Sequence, residues 1–192
     1  EKVFLDNKSI ALTNQSEAPR FVYTHTGPGH SGNSGVCRKN ETREFKRRLY
    51  KSNIEMKKDI GTILNSKPNS IIIVNGDHGP YLTKNCKTLS HPEYSEVDIS
   101  RLDIQDRIGT FLAIKWPKKM DTGKNNIVTL QDVFPLIFSR FFNEPLFMTE
   151  AYRNKSKSLI HRTAGVGVNN GVIIGGLHNG EKLFLDSNPP EK

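Results

Sequence analysis

Eleven residues, Ser70-Ile71-Ile72-Ile73-Val74-Asn75-Gly76-Asp77-His78-Gly79-Pro80, limit the possible architectures more than any other part of the chain. Four consecutive β-branched apolar residues, Ile71 to Val74, predict a short strand buried on both faces. Strands of that kind lie in the middle of a helix-covered sheet. This one breaks into Asp-His-Gly, which places a carboxylate and an imidazole at the carboxyl edge of the sheet, where open α/β folds hold their sites. Gly76 and Gly79 on either side let the backbone turn sharply and let another group approach closely. Asp77 and His78 together suit a borderline divalent metal such as zinc or manganese, because both ligand types bind it without redox chemistry.

The flanking pattern extends this reading. Arg20-Phe21-Val22-Tyr23-Thr24-His25 predicts a strand, and the Gly/Pro/His/Ser/Asn-rich stretch from Thr26 to Gly35 predicts the loop that follows it. A helix is expected from about Asn40, with Asn40 or Thr42 able to cap it. Its apolar face comprises Phe45, Leu49, Met56, Ile60, Ile63 and Leu64. The turn cluster Asn65-Ser66-Lys67-Pro68-Asn69 ends that helix. Strand, helix and strand in this order form a βαβ unit, whose crossover makes the strands parallel and brings both loops to one edge. His25, His30, Asp77 and His78 then converge although they are distant in sequence.

Beyond His78 a polar loop runs through Lys84, Cys86 and His91 to an acidic patch at Glu93, Glu96 and Asp98, and reads as an active-site loop. Arg107 to Pro117 reads as a third strand. Thr129-Leu130-Gln131-Asp132 resembles a capping box with Asp in place of Glu, ahead of an apolar helical face at Val133, Ile137, Phe138, Phe141 and Phe142. The chain divides into a polar lead-in at 1–19, an α/β domain at 20–152 and a basic, glycine-rich extension at 153–192. Within the extension, Val172-Ile173-Ile174 and Lys182-Leu183-Phe184-Leu185 are expected to pair as a hairpin.

The formal charge of +8 is compatible with nucleic acid, acidic glycans or anionic lipid headgroups. No recognised nucleic-acid module is visible, and the densest basic cluster, Arg43 to Lys51, is interleaved with glutamates as on a solvated helix face. No apolar run reaches the roughly 18 to 20 residues that a membrane helix needs, and Glu1-Lys2-Val3-Phe4 carries no signal-peptide pattern. Cys37 and Cys86 are too far apart for a CxxC motif. They are either a disulfide above the common sheet edge, as in an extracytoplasmic protein, or two free thiols.

The order Phe21 to His25, a Gly/Pro/His loop, a long helix, Ile71 to Val74 and then Gly76-Asp77-His78-Gly79 resembles the C-terminal half of sulfatase-like proteins of the alkaline phosphatase superfamily. Downstream, Asp106-Arg107-Ile108-Gly109-Thr110-Phe111-Leu112-Ala113-Ile114 and Thr129 to Phe138 are similar to a branch of membrane-anchored sulfatase-like and phosphoethanolamine-transferase-like proteins. The resemblance covers about residues 20 to 152. It implies an α/β/α fold with a mixed, mostly parallel sheet flanked by helices, incomplete at its N-terminal side. It also implies a metal-dependent hydrolase or headgroup transferase acting on phosphate or sulfate esters of an anionic lipid or glycan outside the cytoplasm. The implied cofactor is a divalent metal (zinc, manganese, calcium or magnesium) held by Asp77 and His78. His91 matches the further histidine that many of these transferases carry after the motif, although Pro80 stands where they often have Glu. His25 and His30 resemble the loop that approaches the substrate headgroup.

The family places its nucleophile and first acidic ligand before the equivalent of Phe21, and neither is recognisable here. The chain is therefore expected to be one portion of an enzyme, partnered by an N-terminal portion of the same protein, or a domain that has lost the chemistry. The second alternative is a non-catalytic binding or scaffold domain, with Asp77 capping a turn and His78 hydrogen-bonded at a strand end.

Overall fold

A computed structural model of the chain describes residues 2–14, 18–25, 27–28, 40–80, 82–83, 98–120, 127, 129–149 and 165–185. The long helix forms where its apolar spacing placed it, as α2 (Glu41–Ser66). Glu41 and Glu44 lie in its first turn, where carboxylates favour the exposed N–H groups. Asn40 is the N-cap but makes no side-chain cap bond. Buried Glu41 pairs instead with Arg48 at 2.9 Å, and Arg48 Nε donates to the Pro28 carbonyl, which fastens residues 27–28 to the helix. The helix stops one residue before Lys67, which precedes Pro68 and is driven out of the helical region.

The stretch at 1–19, expected as a polar lead-in, contains a helix, α1 (Lys2–Thr13), packed on α2. It escapes the apolar pattern because Phe4, Leu5 and Ile10 face outward. A charge cluster holds it in place: the buried Lys8 ammonium donates to Glu55 and, at 2.9 Å, to Asp59. Burial works against the charged ammonium, but hydrogen bonds and charge from Asp59 and Glu55 outweigh it and raise the Lys8 pKa above its usual value. A raised lysine pKa stabilises the folded state fully below the ordinary lysine value of about 10.4. That contribution is lost as pH climbs through the folded value. Lys8→Met is expected to remove about 2 kcal/mol, the order of hydrogen bonds to charged groups. Urea unfolding near neutral pH checks this, and the difference from the natural chain should shrink in strong alkali.

β1 (Ile72–Asn75) follows the turn cluster and pairs antiparallel with β2 (Leu112–Lys115), with Ile72 opposite Lys115 and Asn75 opposite Leu112. Only Ile72 is buried, while Ile73 and Val74 are half-buried; a strand in a two-stranded ladder has a single neighbour to cover it. Between the strands lies α3 (Arg101–Ile108), so Arg107, expected at the foot of a strand, belongs to a helix and the strand proper begins at Leu112. α3 starts with a capping box: Asp103 N–H donates to Ser100 Oγ, and Ser100 N–H donates to the Asp103 carboxylate.

Residues 20–25, expected as the first strand of a parallel βαβ unit, join no ladder in the structure, and their side chains are exposed. Without a paired strand there, the β1 connection that the structure shows is antiparallel. Both sheets among the described residues are two-stranded and antiparallel.

The Thr129 box forms as the sequence indicates, with Thr129 N–H donating to the Asp132 carboxylate at 2.9 Å. It leads through a 3-10 turn into α4 (Val133–Phe142), followed by a second such turn at Pro145–Met148. In the C-terminal extension β3 (Gly167–Asn169) pairs with β4 (Val172–Ile174) across Asn170-Gly171, both at positive φ as a tight hairpin of this kind requires. The expected pairing of 172–174 with 182–185 forms as a short antiparallel bridge, Val172 with Lys182, with Ile173 N–H donating to the Glu181 carbonyl at 2.8 Å and Leu183 N–H to the Gly171 carbonyl at 2.7 Å, while β3 takes the other edge of β4. The hairpin belongs to the main core: Ile173, Val166 and Leu183 are buried with Ile99 and Ile104 at α3. Gln105 Nε2 donates to the Leu183 carbonyl at 2.7 Å, and Arg101 pairs with Glu181.

Candidate functional site

Asp77 and His78 lie where β1 ends, as the sequence places them. Gly76 N–H still donates to the Phe111 carbonyl at 3.0 Å, one step beyond the ladder, and the chain then turns. Gly79 N–H donates to the Arg107 carbonyl at 3.0 Å, so the turn rests on the last residues of α3. The glycines are required by close approach. A Cβ on Gly76 would lie 2.4 Å from Thr110 Oγ1, and one on Gly79 would lie 2.0 Å from the Asp106 carbonyl oxygen. Further along, the Asp106 carboxylate receives Thr83 N–H at 2.8 Å and Thr83 hydroxyl at 3.1 Å, which brings the chain back to the same helix end.

Within the turn, Asp77 Oδ1 accepts the His78 N–H at 3.1 Å. His78 Nδ1 is 2.8 Å from the Gly79 carbonyl oxygen, a contact that requires the proton on Nδ1 and turns Nε2 outward toward Asp77 Oδ2, 3.5 Å away. The Asp77 side chain is 71% exposed and that of His78 30%, so the pair opens to solvent. Donation of the non-ligating ring nitrogen to a carbonyl is the support that metal-bound histidines ordinarily have. A 3.5 Å separation is also what two ligand atoms show when they share a tetrahedral ion at bonds of about 2.0–2.1 Å. The two residues therefore fit a divalent cation as neighbouring ligands. When bound, such an ion would act as a Lewis acid.

No family model, no characterised protein and no solved structure matches this chain. The site is accordingly read from its own residues.

Among the described residues, no group of three or more His, Cys, Asp or Glu side chains is placed to hold a metal ion. His25, expected beside the pair, is exposed and stacks on Tyr23 with ring centroids 6.3 Å apart. His30 and His91 lie outside the described residues, as do Cys37, Cys86 and His161. His178 lies 3.3 Å from Glu181 in its own turn. What sequence reasoning missed is the role of α3: its C-terminal carbonyls seat the Asp77-His78 turn. The Ser100-Arg101-Leu102-Asp103 box was the available signal for that helix.

Proposed function

We propose that the chain is part of a metal-dependent phosphoester or sulfoester hydrolase or headgroup transferase, acting on an anionic lipid or glycan outside the cytoplasm. Its α/β framework would be of the alkaline-phosphatase kind, and Asp77 and His78 would supply two ligands to a divalent metal. The observation that carries this reading is the orientation of His78, whose Nδ1 faces the Gly79 carbonyl while Nε2 faces Asp77. The pair's exposure is also suited to a substrate arriving from solvent. In the proposed chemistry this chain's residues bind the metal and hold its orientation, and the nucleophile comes from elsewhere in the protein.

A second reading has its own observation. Asp77 Oδ1 accepts the backbone N–H of the next residue, His78, at 3.1 Å, a local side-chain-to-backbone bond that needs no ligand. On that reading the chain is a non-catalytic binding or scaffold domain.

Metal-dependent headgroup binding separates the two. The zinc- or manganese-loaded chain is expected to bind phosphoethanolamine or a sulfated sugar in equilibrium dialysis. Chelation should abolish that binding, as should Asp77→Ala combined with His78→Ala. Binding that persists with chelator present would support the scaffold reading.

A further inference from the structure

We propose that the solvent-facing side of α2 between Lys46 and Lys58 docks on an anionic lipid bilayer. Along the sequence, lysines, arginines and glutamates alternate through this helix. In space they separate. Glu41 is buried against Arg48, and Glu55 and Asp59 turn toward α1 to hold Lys8. Exposed Lys46, Tyr50, Ile54 and Lys58 follow one another at steps of four, which makes one row along the helix surface, and exposed Lys51 and Lys57 fall on either side of that row. Arg43 and Arg47 stand at the N-terminal end of the same side, but Glu44 reaches both, at 3.8 and 3.1 Å. The uncompensated charge is therefore that of Lys46, Lys51, Lys57 and Lys58, none of which pairs with a carboxylate among the described residues.

Charge and shape select the occupant. Tyr50 is 69% exposed and Ile54 54%, and lysines stand before, behind and on each side of them. A tyrosine and an isoleucine at headgroup depth, surrounded by lysines whose stems cover apolar surface while their charges reach the phosphates, are the composition of an element that lies on a bilayer. The row is about 18 Å long at 1.5 Å per residue, and a bilayer offers a plane that meets all of it at once. A nucleic-acid strand is tracked by a basic groove, and its phosphates are matched better by guanidinium forks than by ammonium point charges. Here the uncompensated cations are all lysines on one convex side of a helix. A second copy of the chain would set lysine against lysine across a two-fold axis. This side of α2 shares no residue with the Asp77-His78 turn, so it stands whether or not that pair binds metal.

Co-sedimentation of the whole chain with vesicles tests the proposal. Binding is expected to vesicles of phosphatidylcholine mixed with phosphatidylserine, and not to phosphatidylcholine alone. Lys51→Glu with Lys58→Glu, both at exposed positions, is expected to weaken it about tenfold or more while leaving the circular dichroism spectrum unchanged. Tyr50→Ser with Ile54→Ser, also exposed, is expected to weaken it several-fold and keeps the test decisive should the charge-reversed helix fold poorly. Lys118→Glu with Lys119→Glu changes the net charge by the same amount at exposed positions after β2, and is expected to leave binding close to that of the natural chain. Absence of binding to the phosphatidylserine vesicles would overturn the proposal, as would full binding by either folded α2 variant. So would an equal loss in the Lys118 and Lys119 variant, because net charge rather than this side of α2 would then be what the vesicles attract. Capture of the chain by an RNA oligonucleotide or by heparin, with the vesicles leaving it in solution, would overturn it in favour of a polyanionic chain.

Discussion

Gly79→Ala is expected to dislodge the Asp77-His78 turn from α3 and to lower the unfolding free energy by about 3 kcal/mol. The added Cβ would lie 2.0 Å from the Asp106 carbonyl oxygen, 2.6 Å from its carbon and 2.9 Å from the Gly109 oxygen. All three are backbone atoms of the last turn of α3 and its cap, so no rotamer change relieves the clash. The loop must move away, and the hydrogen bond from Gly79 N–H to the Arg107 carbonyl breaks with it. Overpacking of this kind costs roughly 1–3 kcal/mol, and a buried group stripped of its partner about as much again. Gly61→Ala is the matching control: its Cβ meets nothing within 4 Å, and it lies inside α2. There alanine is expected to stabilise by up to about 1 kcal/mol. Urea midpoints of the two variants should move in opposite directions; an unchanged midpoint for Gly79→Ala would contradict the packing described.

The elements that the sequence revealed are those whose signals are local and redundant. α2 carries apolar residues at helical spacing over 26 residues and ends at a proline turn, so several independent cues agree. The Thr129 to Asp132 box was legible for the same reason, as it is followed by a strongly apolar helix. The equivalent Ser100 to Asp103 box was not recognised. α3 has only eight residues and a weak apolar face, and it runs almost directly into β2, so Arg107 to Pro117 reads as one strand. α1 is held by Lys8 between Glu55 and Asp59 rather than by an apolar stripe, and long-range ion pairs leave no periodicity to find. In the C-terminal extension the expected pairing of 172–174 with the 182–185 segment is present as the Val172 to Lys182 bridge, whereas the tighter hairpin through Asn170-Gly171 is the pairing that the apolar runs on either side of Gly175 concealed.

Strand direction was the least legible property. A helix between two strands favours a parallel crossover, but that inference needs both strands to enter a sheet. Residues 20–25 enter none that the structure describes, and β1 takes the antiparallel β2 as its partner. At the candidate site, by contrast, the close backbone approach at Gly76 and Gly79 and the adjacency of Asp77 and His78 follow directly from residue order. The position of His25 depended on a tertiary convergence, and among the described residues it joins no metal-holding group with the pair.

The central claim is that Asp77 and His78 act as a metal pair, and their removal is the change with the largest expected effect on function. Loss of a partner that merely orients a ligand costs about 10–100-fold in affinity, so loss of a ligand itself should cost about 100-fold or more. Asp77→Ala and His78→Ala remove side chains that are 71% and 30% exposed, so the fold should survive both changes. Calorimetric titration of zinc, and separately of manganese, into the natural chain and into the double variant is the direct measurement. The account predicts saturable binding by the natural chain with heat that vanishes in the folded double variant. Equal binding by the two proteins would contradict it.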